Sequence, residues 1–157
     1  MTGDPGDGGP RLEARILADI PLARHIGVRV LSANEESVVL AAALGSNSNH
    51  KGTAFGGSLF SLAVLAGWGL LSVKLERAGV PGEIVIQDTQ IHYLRPVTGD
   101  FTARAVAPDA AEFERLVRTL ERRGRGRIGV KCFVEQSSAV AVEFNGTFAV
   151  VVGAAAA

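Results

Sequence analysis

The spacing of apolar positions changes several times along the chain, and each change marks an element. Residues 11–19, RLEARILAD, carry Leu12, Ile16 and Leu17 near helical spacing, which predicts a short amphipathic helix that Pro21 ends. Residues 26–33 and 37–44, IGVRVLSA and SVVLAAAL, read as extended runs around a polar turn at Asn34, Glu35 and Glu36. Residues 59–73, LFSLAVLAGWGLLSV, have no polar stripe at all. The run is shorter than the ~18–20 residues of a membrane span and contains Ser61, Gly67, Gly69 and Ser72. It predicts a helix buried on nearly every side, ending near Ala78 and Gly79 with Pro81 beyond.

Downstream, IVIQDTQIHYL and FTARAVA are strand runs joined through RPVTGD. Phe113, Leu116, Val117 and Leu120 then form one helical stripe over residues 110–123. RIGVKCFVEQ and AVAVEFNGTFAVVV are strands joined at Ser137 and Ser138; Asn145-Gly146 is read as a kink in one long strand rather than a second hairpin. Short turns between consecutive strands argue for an antiparallel sheet, and a helix apolar all round must be wrapped by it. The expected class is α+β, a curled antiparallel sheet around a long central helix. One domain over residues 11–152 is expected, with a disordered segment at 1–10 and a frayed tail at 153–157.

Composition narrows the function classes. The 157 residues are 47% hydrophobic and 20% charged, a globular balance. Lys+Arg and Asp+Glu both number 16, which argues against a nucleic-acid partner. The single cysteine, Cys132, excludes a disulfide framework and a multi-cysteine zinc site, and it is read as a buried thiol. His25, His50 and His92 have no metal-ligand spacing, and no P-loop or dinucleotide motif occurs, so neither metal nor cofactor is expected. With no signal peptide at the N-terminus and no membrane span, the expected location is cytoplasmic.

The most informative segment is NSNHKGTAFGGS, residues 47–58, which leads into the apolar helix. Gly52, Gly56 and Gly57 permit close backbone approach, and the last two fall at the helix mouth. Free N–H groups there, with the amides of Asn47 and Asn49, suit an oxyanion. The same residue types also make an ordinary glycine-rich loop in which asparagines cap turns, and physical chemistry alone leaves both open.

N-x-x-G-T-A-x-G-G before an apolar helix resembles the phenylacetate-type hotdog thioesterases, with their N…G…HGG loop and helical LAD. The fuller string NSNHKGTAFGGSLFSLAVLAGWGLL, with QDTQIHYLRPV downstream, is similar to the YiiD C-terminal family. Those are hotdog thioesterases together with malonyl-acyl-carrier-protein decarboxylases, and the resemblance runs over residues 26–151. It implies a hotdog fold, fatty-acid-type acyl-thioester chemistry on acyl carrier protein or CoA, and a homodimer or dimer of dimers with the loop at its interface. Asn49, Gly56, Gly57 and Asn47 become the expected catalytic residues, and Thr53, Phe55 and Ser58 the expected substrate contacts. The departures are specific. The loop histidine falls on Phe55, the helix aspartate on Val64 and the strand serine near Ile86, and no carboxylate occurs between Gly52 and Leu75. Nothing on this helix can serve hydrolysis as general base, which leaves Asp88 or a residue of a second chain for that role, whereas decarboxylation of a malonyl thioester needs only oxyanion donors in a dry pocket. Decarboxylation is therefore the expected activity, thioester hydrolysis the alternative, and a non-catalytic thioester-binding module the rival of another class.

Outside the loop, Asp88 is a candidate acid or a cross-strand polar partner. His50 reads as solvated loop, His92 as surface or interface, and Trp68 as core. The run from Arg115 to Arg127 reads partly as a solvated helix face with ion pairs. Its dense end, Arg123, Arg125 and Arg127, suits CoA phosphates or an acidic carrier-protein face. The Val/Ala-rich last strand is expected to supply a sheet edge that pairs with a second copy.

Overall fold

A computed structural model describes residues 7–153. Helix α1 (Gly9–Asp19) and the short α2 (Pro21–Ile26) precede strands β1 (Arg29–Ala33) and β2 (Ser37–Ala42). Then come helix α3 (Gly56–Arg77), strands β3 (Glu83–Tyr93) and β4 (Phe101–Val106), helix α4 (Ala110–Arg123), and strands β5 (Arg125–Gln136) and β6 (Ala139–Val151). The six strands form one antiparallel sheet in the order β1-β2-β4-β5-β6-β3, curled around α3 in a hotdog fold.

Helix α1 starts ahead of the expected boundary because the Asp7 carboxylate accepts N–H bonds from Gly9 (2.9 Å) and Ala33 (3.0 Å), and Pro10 suits a first turn. The expected disorder over residues 1–10 thus fails at 7–10; residues 1–6, and 154–157 of the expected frayed tail, lie outside the described residues. Pro21 does end α1, but it then opens α2, since proline is well placed at a first helical turn. Gly27, at φ 78°, closes α2 in the left-handed conformation.

Helix α3 has 22 residues, long and apolar enough to cross a bilayer, yet 61% of its apolar window is buried inside this fold. The wrapping is tight. A Cβ on Gly67 would lie 2.8 Å from the Phe148 ring and 3.5 Å from Cys132 Sγ. Even-numbered residues of β5 from Ile128 to Val134 face this helix, with Phe144 and Phe148 of β6 beside them. Trp68, expected in the core, packs against it half-buried at its margin, under the Arg15 guanidinium 5.2 Å from its ring centroid. In α4, Leu116 and Leu120 carry the burial while Phe113 sits at the edge beneath Lys74.

The two ends of the sheet are β1 and β3. The last strand, expected at an edge, is instead paired on both sides, because its 13 residues reach β5 and β3 together. It runs unbroken through Asn145 and Gly146. The edge falls to β3, where Val85 and Ile86 are 56% and 36% exposed.

Candidate active site

The loop between β2 and α3 is closed on itself by asparagine amides. Asn49 Oδ1 accepts the backbone N–H groups of Lys51 (2.8 Å) and Thr53 (3.2 Å), and its Nδ2 donates to Thr53 Oγ1 (2.8 Å). Gly52 takes the left-handed conformation this turn requires, φ 79°. Beyond the turn, Ala54 N–H donates to the Val97 carbonyl and Phe55 N–H to the Asn47 carbonyl, bolting the loop to the body. Helix α3 follows with no side-chain cap. Ser58 and Leu59 N–H donate to the Phe55 carbonyl, while Gly56 and Gly57 N–H have no partner among the described residues. These two donors sit at the positive end of the helix dipole.

The expected site residues divide by this geometry. Asn49, Thr53, Phe55, Gly56, Gly57 and Ser58 cluster at the mouth. Asn49 keeps its second amide N–H uncommitted, and Ser58 Oγ likewise makes no bond among the described residues. Asn47 is committed elsewhere. It is 4% exposed, and its Nδ2 donates to the carbonyls of Ile26 (2.9 Å) and Ala43 (2.8 Å). A primary amide has two N–H groups, so Asn47 as placed anchors the loop and has no N–H left for a ligand. Asp88 is a second correction. It pairs in register with Thr147, and Thr147 with Gly129, on the sheet face away from α3, so it cannot reach the mouth of its own chain. A bulge between Ile86 and Asp88 displaces the alternation there.

Sequence reasoning missed Tyr93. Its hydroxyl donates to the Gly56 carbonyl at 2.9 Å, and its ring lies 3.5 Å from where a Gly56 Cβ would project. Burial raises the phenol above its ordinary range, so it stays a donor across neutral pH. The alternation of β3, which turns Tyr93 inward beside buried Val142, was the available signal. Phe55 covers the other flank: a Gly57 Cβ would meet its ring at 2.5 Å. With Phe55, Tyr93 and Leu94 each more than half exposed, the mouth wears an apolar collar that nothing among the described residues covers.

The arginines occupy another place. Arg123, Arg125 and Arg127 line an open groove of about 1240 Å³ with Thr119, Gln87 and the end of β6. The expected ion pairs with the α4 glutamates do not form among the described residues.

Residues 10–152 match the family model described as "Putative thioesterase (yiiD_Cterm)". The chain belongs to this family. Among solved structures, a protein of unknown function from Chlorobaculum tepidum is 28% identical with a TM-score of 0.86, over 92% of this chain and 94% of that one. A "putative thioesterase" from Shewanella oneidensis is 26% identical with a TM-score of 0.80, over 92% and 96%. A probable thioesterase from Pseudomonas aeruginosa, 21% identical over 91% and 95% with a TM-score of 0.79, shares the fold.

Proposed function

We propose that this YiiD C-terminal family protein decarboxylates a malonyl thioester, carried on acyl carrier protein or CoA, at the mouth of α3. The observation that carries the reading is a pair of uncommitted N–H donors, Gly56 and Gly57, in a mouth without a carboxylate. The thioester carbonyl oxygen accepts from this pair and from the free amide N–H of Asn49. The bond between the methylene carbon and the carboxylate breaks, CO2 leaves, and its electron pair forms an enolate whose charge rests on that oxygen. A proton from water then gives the acetyl thioester. Fixed donors are worth most where water is excluded, and the Phe55, Tyr93 and Leu94 collar suits that. Ser58 and Thr53 flank the acyl group.

Hydrolysis is the second reading, favoured by the family's description as thioesterases. It needs a base for water, and no carboxylate occurs between Gly52 and Leu75, so the base would be another residue, such as His50 of the same loop or a residue of a second copy. The test is Asn49→Ala assayed on malonyl and simple acyl thioesters. Losing one oxyanion donor lowers kcat by about 10²–10³, with circular dichroism unchanged. Near-normal turnover on every thioester accepted by the wild type contradicts the assignment.

A further inference from the structure

We propose that Tyr93 positions and polarises one of the two oxyanion donors, the Gly57 N–H; the inference rests on the thioester reading above. Such donors stabilise a transition state only if they are already in place when charge develops. The start of α3 is a poor place to expect that. It has no side-chain cap, and its first two residues are glycines, which have the widest backbone freedom of any residue. Each donor therefore needs a group that holds its peptide.

A trans peptide is planar, with its N–H and the preceding C=O pointing opposite ways. Whatever grips a carbonyl oxygen sets the direction of the next N–H. The Gly56 N–H shares its plane with the Phe55 carbonyl, which accepts from Ser58 N–H at 2.9 Å and Leu59 N–H at 3.2 Å. The helix itself holds that donor. The Gly57 N–H shares its plane with the Gly56 carbonyl, and there the Tyr93 hydroxyl donates at 2.9 Å. The phenol ring also lies 3.5 Å from where a Gly56 Cβ would project, so it closes that side of the same peptide.

Tyr93 is a fixed post. It pairs in register with buried Val142 near the end of β3, and the next residue, Leu94, donates its N–H to the Ala141 carbonyl at 2.8 Å. The sheet thus reaches across to the helix mouth through one hydroxyl. The bond has a second effect. A peptide carbonyl that accepts a hydrogen bond draws electrons from its own N–H, which becomes the stronger donor. Tyr93 is therefore a positioning residue, acting on the developing oxyanion through Gly57.

Two features of the sequence make this measurable. Tyr93 is the only tyrosine of the chain, and Gly-Gly steps occur only at 8–9 and 56–57. Biosynthetic 3-fluorotyrosine thus changes one phenol, making it a stronger donor, while Tyr93→Phe removes the hydroxyl and keeps the ring. With glycine labelled at the ¹³C carbonyl and ¹⁵N, a carbonyl–amide correlation spectrum holds one peak for each Gly-Gly step. The 56–57 peak should move upfield in carbonyl carbon and amide proton in Tyr93→Phe, and downfield in the fluorotyrosine protein. The 8–9 peak, where Asp7 accepts the Gly9 N–H, should stay as an internal control. On malonyl thioesters, Tyr93→Phe should lower kcat about 2–10-fold, the scale of one neutral hydrogen bond. KM should hold, and fluorotyrosine should raise kcat above wild type. A tyrosine that only packs gives no such graded order. A 56–57 peak unmoved in both proteins overturns the inference, and so does equal kcat in all three. If Tyr93→Phe does not fold, the fluorotyrosine protein decides alone. A peak that moves as expected in a protein inert on every thioester upholds the Tyr93 hold on Gly57 and defeats the functional reading instead.

Discussion

Two asparagines separated by one residue do different work, and their substitutions should separate accordingly. Asn47→Ala removes the donors that satisfy two backbone carbonyls in a buried setting. An unsatisfied buried group costs about 1–3 kcal/mol, which for a chain of this size lowers Tm by roughly 2–12 °C. Calorimetry should record that loss while kcat of the folded protein holds, the reverse of the Asn49→Ala outcome. Cys132 is the residue where pH enters. Burial pushes its thiol from 9.0 up to about 12, against a weaker opposing hydrogen bond with the Gly67 backbone. The folded state therefore holds its proton longer than the unfolded one. Its contribution to stability is constant below pH 9 and falls as pH climbs from about 9 towards 12. A thiol reagent at pH 8 should leave the native protein unlabelled and react fully in denaturant.

Helix α3 carries the clearest conflict between local preference and packing. Alanine is favoured over glycine inside a helix by about 1 kcal/mol, yet at Gly67 the added methyl meets the fully buried Phe148 ring at 2.8 Å. Gly67→Ala should destabilise by about 1–3 kcal/mol, as overpacked cores do; a stabilised variant in denaturant unfolding would show that the helix shifts freely within the sheet. This helix, α4 and most strand runs were legible in the sequence because their periods and breakers are local. The long last strand was legible too, since Ser137 and Ser138 can take the positive φ of its turn. Its place in the sheet was not. Which strand becomes an edge depends on sheet order, and β6 pairs with a strand more than 40 residues earlier. Asp88 shows the same limit, since a bulge decides its face. The loop was legible as a site by its glycines, but that Asn47 anchors it through the Ile26 and Ala43 carbonyls shows only in the hydrogen bonding.

The molecule as a whole is a sheet with one apolar edge, a helix whose mouth opens beside that edge, and an arginine groove at the far end. No carboxylate occurs between Gly52 and Leu75, and decarboxylation is proposed over hydrolysis on that ground. Product analysis tests that most directly. Malonyl-carrier protein and malonyl-CoA, labelled with ¹³C at the free carboxylate, are incubated with the wild-type protein while labelled CO2 and free thiol are followed separately. Decarboxylation predicts labelled CO2 in step with acetyl thioester and no thiol. Thiol without CO2, or neither product, contradicts it.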